Sequence, residues 1–170
     1  MSTENNPSSY TPRPANGRAK IAVLALALAA LALYIVSVAA SAYKGILMMG
    51  ALLVVTAAIF LAYRYLFSTY TYRIFYTEDG VGYFLVEQGQ GKRLSLVAQI
   101  PLHAVVSLAA YQKSAVPQGK FFAFCATLSG GEYQILHSRE GGQNTVIKLE
   151  MSEDFFALLS EKTNEARTGV

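Results

Sequence analysis

The stretch TYTYRIFY, Thr69 to Tyr76, divides the chain. Tyr70, Tyr72, Ile74 and Tyr76 fall on one side of an extended backbone and Thr71 and Arg73 on the other, the period-two pattern of a half-buried strand. Nothing upstream alternates in this way. Residues 21–42, IAVLALALAALALYIVSVAASA, carry no charge, and between Lys20 and Arg64 the only charge is Lys44. As a helix, residues 21–42 rise about 33 Å, enough for a hydrocarbon layer about 30 Å thick. A second apolar run, Ile46 to Ala62, follows the tripeptide Tyr43, Lys44, Gly45 and ends at Tyr63, Arg64 and Tyr65.

The expectation is a transmembrane helical hairpin over residues 20–67, with helices at about 21–42 and 46–65 and the lipid bilayer as an integral, two-pass partner. Lys20, Tyr43, Lys44, Tyr63, Arg64 and Tyr65 suit the headgroup level and are its candidate interface anchors. Ala40, Ser41 and Ala42 imitate a signal-peptide cleavage site. The apolar run is too long for one, since a cleavable region is about 7–15 residues. Small residues at Ala22, Ala25, Ala29, Ala32 and Ala39, facing Gly50 and Ala57, form the candidate helix-packing seam. Neither run contains an acid, His or Asn that would mark an ion path. Arg13, Arg18 and Lys20 precede the first helix and Arg64 and Arg73 follow the second, against Lys44 in the turn. That bias places both termini in the cytoplasm. Residues 1–19, rich in Asn, Pro, Ser and Thr, read as a disordered cytosolic tail.

The 170 residues are 53% hydrophobic and 15% charged, with a formal net charge of +3. That charge sits near the membrane. From Leu66 onward there are nine Lys or Arg against ten Asp or Glu, so the soluble part lacks the positive face that nucleic acid requires. Cys125 is the single cysteine and stands in an apolar run, which excludes an internal disulfide and suits a reduced compartment.

Downstream of Tyr76, turn residues recur: Glu78, Asp79 and Gly80; Gly89 to Lys92; Gln112 to Lys120; Gly130 and Gly131; Gly141 and Gly142. Between them lie further strands at Val81 to Gln88, around Leu94 and Leu96, and at Ala104 to Tyr111, Phe121 to Leu128, Glu132 to Ser138 and Asn144 to Glu150. With the first, they make seven. Ser152 followed by Glu153 and Asp154 is an N-cap signature, and Phe155, Phe156, Leu158 and Leu159 give the ensuing helix an apolar face that ends before Gly169. The fold class is α+β, with residues 68–166 as the second domain.

The order of parts, the tyrosine-rich entry at Tyr70 to Tyr76, the turn at Asp79 and Gly80, Gly91 and Lys92 before the third strand, Ile100 before the fourth and Phe155 to Leu159 in the last helix resemble the bacterial pleckstrin-homology-like (PH-like) membrane proteins, including the YcxB-like group. The resemblance implies a cytosolic seven-stranded antiparallel bent sheet or partial barrel capped by the C-terminal helix. It implies a role as a membrane-tethered interaction module at a bacterial cytoplasmic (inner) membrane and supplies no catalytic residues. Phosphoinositide binding by such folds uses a basic first hairpin, whereas this one carries Glu78 and Asp79. Lys92 and Arg93 in the next turn read most simply as a solvated hairpin tip, with contact to an anionic membrane surface as the alternative.

No catalytic, cofactor or metal signature is present. The glycine pairs Gly80/Gly82 and Gly89/Gly91 lie in β-turns with no helix to receive a phosphate, and His103 and His137 lack ligand spacing. Two function classes remain. One is a membrane-anchored binding or scaffold module with a protein or peptide partner. The other is a membrane-surface enzyme or enzyme subunit, which needs convergent polar groups. For the first, the candidate partner-binding strand is FFAFCATL. Phe121, Ala123 and Cys125 share one face there and Phe122 and Phe124 the other, and as the fifth strand it would edge the sheet and accept an extended peptide. The alternative is that the terminal helix or the hairpin covers the extra aromatic.

Overall fold

A computed structural model describes residues 8–13, 16–90, 93–112, 119–128 and 132–168. The turn residues Gly91 and Lys92, most of the Gln112–Lys120 connection, Gly130, Gly131 and Gly169 lie outside the described residues. The chain forms two compact units, one holding two long helices and the other the strands and the last helix.

In the helical unit, α1 spans Gly17–Ala39 and α2 spans Lys44–Tyr65, joined by a 3-10 turn at Ser41–Tyr43. Both are long and apolar enough to cross a membrane. Helix α1 starts four residues earlier than expected, so Arg18 and Lys20 lie in its first turn. The two helices pack along a seam of period 3.5. In α1 it runs through Ala19, Val23, Leu26, Ala30, Leu33 and Ser37, and in α2 through Leu47, Ala51, Val54, Ala58, Leu61 and Tyr65. The buried members are small: Ala19, Ala30, Ser37, Ala51 and Ala58. The expected seam is therefore corrected. Ala25, Ala29, Ala32, Ala39 and Ala57 are exposed and Ala22 half-buried, while Gly50 sits at the contact, near Leu33. In a helix apolar all round, small residues occur on every side. The decisive residue is Ser37, whose Oγ donates to the Tyr34 carbonyl at 2.6 Å and which lies inside the contact.

Among the described residues, the strand unit holds eight strands. Strands β1 (Ser9–Tyr10), β2 (Ser68–Tyr76), β3 (Gly82–Gln90) and β4 (Arg93–Pro101) form one four-stranded sheet in that order. The second sheet has the order β5-β7-β8-β6, from β5 (Val105–Ala110), β6 (Lys120–Phe124), β7 (Gln134–Glu140) and β8 (Gln143–Leu149). All seven expected strands form, with the one beginning at Phe121 ending at Phe124 rather than Leu128. Their layout is not one seven-stranded antiparallel sheet. The strands divide four and four, and β6 runs parallel to β8, with Phe121 opposite Val146 and Phe124 opposite Leu149. Turn residues locate strand ends but leave pairing open, because pairing depends on contacts distant in sequence.

The additional strand overturns the reading of residues 8–13 as unstructured. Ser9 pairs with Arg73 and Tyr10 with Tyr72, antiparallel, and the Tyr10 ring stacks on Tyr72 and Phe155 with centroids 6.3 and 5.7 Å apart. One aromatic and a two-residue ladder suffice to order this segment, and neither has a periodicity to be read.

Burial and backbone chemistry explain the rest. Tyr70, Tyr72, Ile74, Phe84, Val86 and Ile100 from the first sheet meet Val105, Leu136, Ile147 and Leu149 from the second. The chain passes between the sheets at Pro101–Ala104, where Leu102 is fully buried. Gly141 and Gly142, both at positive φ (56° and 80°), make the two-residue β7–β8 turn, as a type I′ hairpin demands. Helix α3 (Glu153–Thr168) starts after Ser152, whose Oγ accepts the Phe155 N–H at 3.3 Å, and it places Phe155 and Leu159 in the core.

Candidate interaction surface at strand β6

KFFAF, Lys120 to Phe124, is aromatic enough to favour an extended chain, and β8 supplies its ladder. It ends the order of its sheet, and among the described residues no strand lies along its other side. The two faces differ. Phe124 belongs to the core margin, tilted against Tyr70 at 5.9 Å, and Phe122 stacks on Phe124 with centroids 6.1 Å apart and planes 2° apart. On the opposite face, Phe121 and Ala123 stand beside Val146 and Lys148. Phe121 and Phe122 are each 44% exposed, a large fraction for aromatic rings on an ordered strand.

The C-terminal end of β6 is tied to the core by hydrogen bonds. The Tyr72 hydroxyl donates to the Phe124 carbonyl at 2.5 Å and accepts the Glu150 N–H at 3.2 Å. Burial pushes the Tyr72 phenol far above its usual value, so it stays protonated and keeps donating. The Glu150 carboxylate accepts the Ala126 N–H at 3.1 Å. Cys125 follows the end of the strand, is buried, and donates its S–H to the Lys148 carbonyl at 3.5 Å. Its expected place on an outward face with Phe121 and Ala123 is thus corrected, because alternation stops where the strand stops.

Two features near β6 were not legible in the sequence. The Lys148 Nζ lies 4.3 Å from the Tyr111 ring centre and 3.6 Å from that of Tyr133, and the two rings meet edge to face. This cation–π cluster unites residues of three segments, so no local pattern signals it. On the inner side, a cavity of about 160 Å³ lies between β4 and β6, its wall made of apolar Val97, Ile100, Phe122, Phe124 and Ile147 and of polar Gln99, Ser138, Glu140 and Thr145. A chain laid along β6 would meet Phe121 with its side chains on one face and Phe122 with those on the other.

The expected interface anchors lie at helix ends. Lys20 is exposed in the first turn of α1, Tyr43 and Lys44 are exposed at the connection, and Tyr63, Arg64 and Tyr65 close α2. His103 is exposed in the turn before β5, and His137 is half-buried on β7. Among the described residues, no three His, Cys, Asp or Glu side chains converge as a metal site. No family model, curated protein or solved structure matches the chain.

Proposed function

We propose that this chain is a membrane-anchored binding or scaffold module whose strand domain takes an extended segment of a protein partner along β6, at the cytoplasmic face of a bacterial inner membrane. The observation that carries the reading is a sheet-edge strand presenting a half-exposed phenylalanine on each face, beside a small cavity of mixed lining. Backbone pairing supplies affinity in such additions and alternate side chains supply specificity. The placement of basic residues, Arg13, Arg18, Lys20 and Arg64 against Lys44, supports cytoplasmic termini. Kinship with the YcxB-like proteins belongs to the same proposal. The order of hairpin, strands and closing helix favours it, and the division into two four-stranded sheets weighs against it.

Purification of the full chain in mild detergent tests the reading when wild type is compared with Phe121→Lys and Phe122→Lys. Lysine on an edge strand discourages strand addition. A partner retained by wild type and lost from both variants, with the melting temperature unchanged, is the expected result. Equal recovery from all three excludes β6 as the binding strand. A co-purifying metal or nucleotide would favour an enzyme instead.

A further inference from the structure

The edge strand of the first sheet, β4, also carries exposed apolar residues. Leu94 is 68% and Leu96 54% exposed. Leu94 lies opposite Gly89 and Leu96 opposite Glu87, so both leucines project from the outer face of the first sheet, while Arg93, opposite Gln90 at the strand end, points to the other face. On the leucine face Glu87 is paired with Arg73 at 3.6 Å, and Arg93 is the exposed cation at the start of the strand. Val97 is the extra residue of a bulge opposite Val86 and Glu87, and Ala98 and Ile100 beyond it turn back to the core.

Chain connectivity locates this end of the sheet. The Ser68 Oγ donates to the Tyr63 carbonyl at 3.0 Å, which fixes Ser68 to the last turn of α2. The next residue, Thr69, begins the strand unit and donates its Oγ1 to the Gly89 carbonyl at 3.5 Å. A Cβ added to Gly89 would come 2.6 Å from that Oγ1 and 3.4 Å from Leu94 Cδ2, so Thr69, Gly89 and Leu94 are close neighbours. Consecutive Cα atoms are about 3.8 Å apart, so this strand end stays near the α2 terminus whatever the orientation of the domain. At the far end of β2, about 23 Å away at the usual rise of a strand, the exposed turn residues are the acids Glu78 and Asp79. Within the strand unit, Leu94 and Arg93 thus stand at the end of the hairpin next to Thr69, and the two acids stand at the other end of β2.

We propose that the Arg93–Leu96 end of the β3–β4 hairpin seats in the headgroup layer of an anionic bilayer, with Leu94 and Leu96 below the headgroups and Arg93 among them. The contact holds the strand domain against the membrane and fixes which of its faces looks into the cytoplasm. This rests on α1 and α2 crossing the same bilayer and does not depend on the role of β6.

The chain contains no tryptophan, so single Leu94→Trp, Leu96→Trp, Val81→Trp and Leu53→Trp variants report from one site each. The full chain is reconstituted in vesicles of mixed phosphatidylcholine and phosphatidylglycerol carrying spin-labelled lipid. Leu53→Trp, in mid-α2, must be quenched by a label deep in the acyl chains; if it is not, the spanning reading fails and this proposal with it. Given that quenching, Leu94→Trp and Leu96→Trp should emit further to the blue than Val81→Trp and be quenched severalfold more by a label near the headgroups. Emission and quenching equal to those of Val81→Trp would overturn the proposal while leaving the hairpin intact. Shielding from water that vanishes when protein is diluted in lipid would assign the leucines to a second copy of the chain, and would equally overturn it.

Discussion

The phenolic oxygen of Tyr72 lies 2.5 Å from the carbonyl oxygen of Phe124, joining the centre of the first sheet to the end of the edge strand β6. The same hydroxyl receives the Glu150 N–H at the end of β8, so one buried side chain holds the two parallel strands together where their ladder stops. Tyr72→Phe keeps the ring and removes both hydrogen bonds. It should cost about 1–3 kcal/mol, read from thermal unfolding in mild detergent, with faster amide exchange around Phe124 and Cys125. Unchanged stability and exchange would show that the hydrogen bonds do not anchor β6.

Alkaline pH probes the same group. Burial raises the Tyr72 phenol above its ordinary value of 10.0, and burial together with the Glu150 charge raises that of Tyr10. The folded state holds these protons more tightly than the unfolded one, so their contribution to stability is full below pH 10 and declines as pH rises beyond it. Melting temperature followed from neutral to alkaline pH should show that decline, and Tyr72→Phe should flatten it. A decline of the same steepness in the variant would assign it to other groups.

The helix seam makes a discriminating prediction because the expected and observed faces differ. Ala30→Leu or Ser37→Leu should overpack the contact and cost about 1–3 kcal/mol. Ala29→Leu, on an exposed face, should be nearly neutral. Thermal unfolding of the full chain measures all three, and equal effects would contradict the seam through Ala19, Ala30 and Ser37.

Tyr10 tests the order of the segment before α1. Tyr10→Ala removes two ring contacts, each worth about 0.5–1.5 kcal/mol, and should loosen the bond from the Ile74 N–H to the Ser8 carbonyl. Hydrogen exchange at Ile74 should rise. Exchange unaltered from wild type would mean that β1 is held by its backbone alone.

These results mark what could be read from residue order. The two apolar runs, the alternation at Thr69 to Tyr76 and the Ser152 cap are local signals, and each produced the expected element within a few residues. The parallel pairing of β6 with β8 and the Lys148 cluster with Tyr111 and Tyr133 depend on contacts distant in sequence, so no window contains them. The seam was missed for another reason, since an all-apolar helix offers no polar face by which to orient it. Of the candidate site, Phe121 and Ala123 were legible as one face of a strand. Cys125 was misplaced because nothing in FFAFCATL marks Phe124 as the last paired residue.

The claim that β6 receives an extended partner is tested most directly by site-specific photocrosslinking of the full chain in cells. A photoreactive residue at Phe121 or Phe122 should yield discrete crosslinks to another protein, and one at Asp79, in the exposed β2–β3 turn, should not. Crosslinking that is absent, or equal from all three positions, would contradict the account.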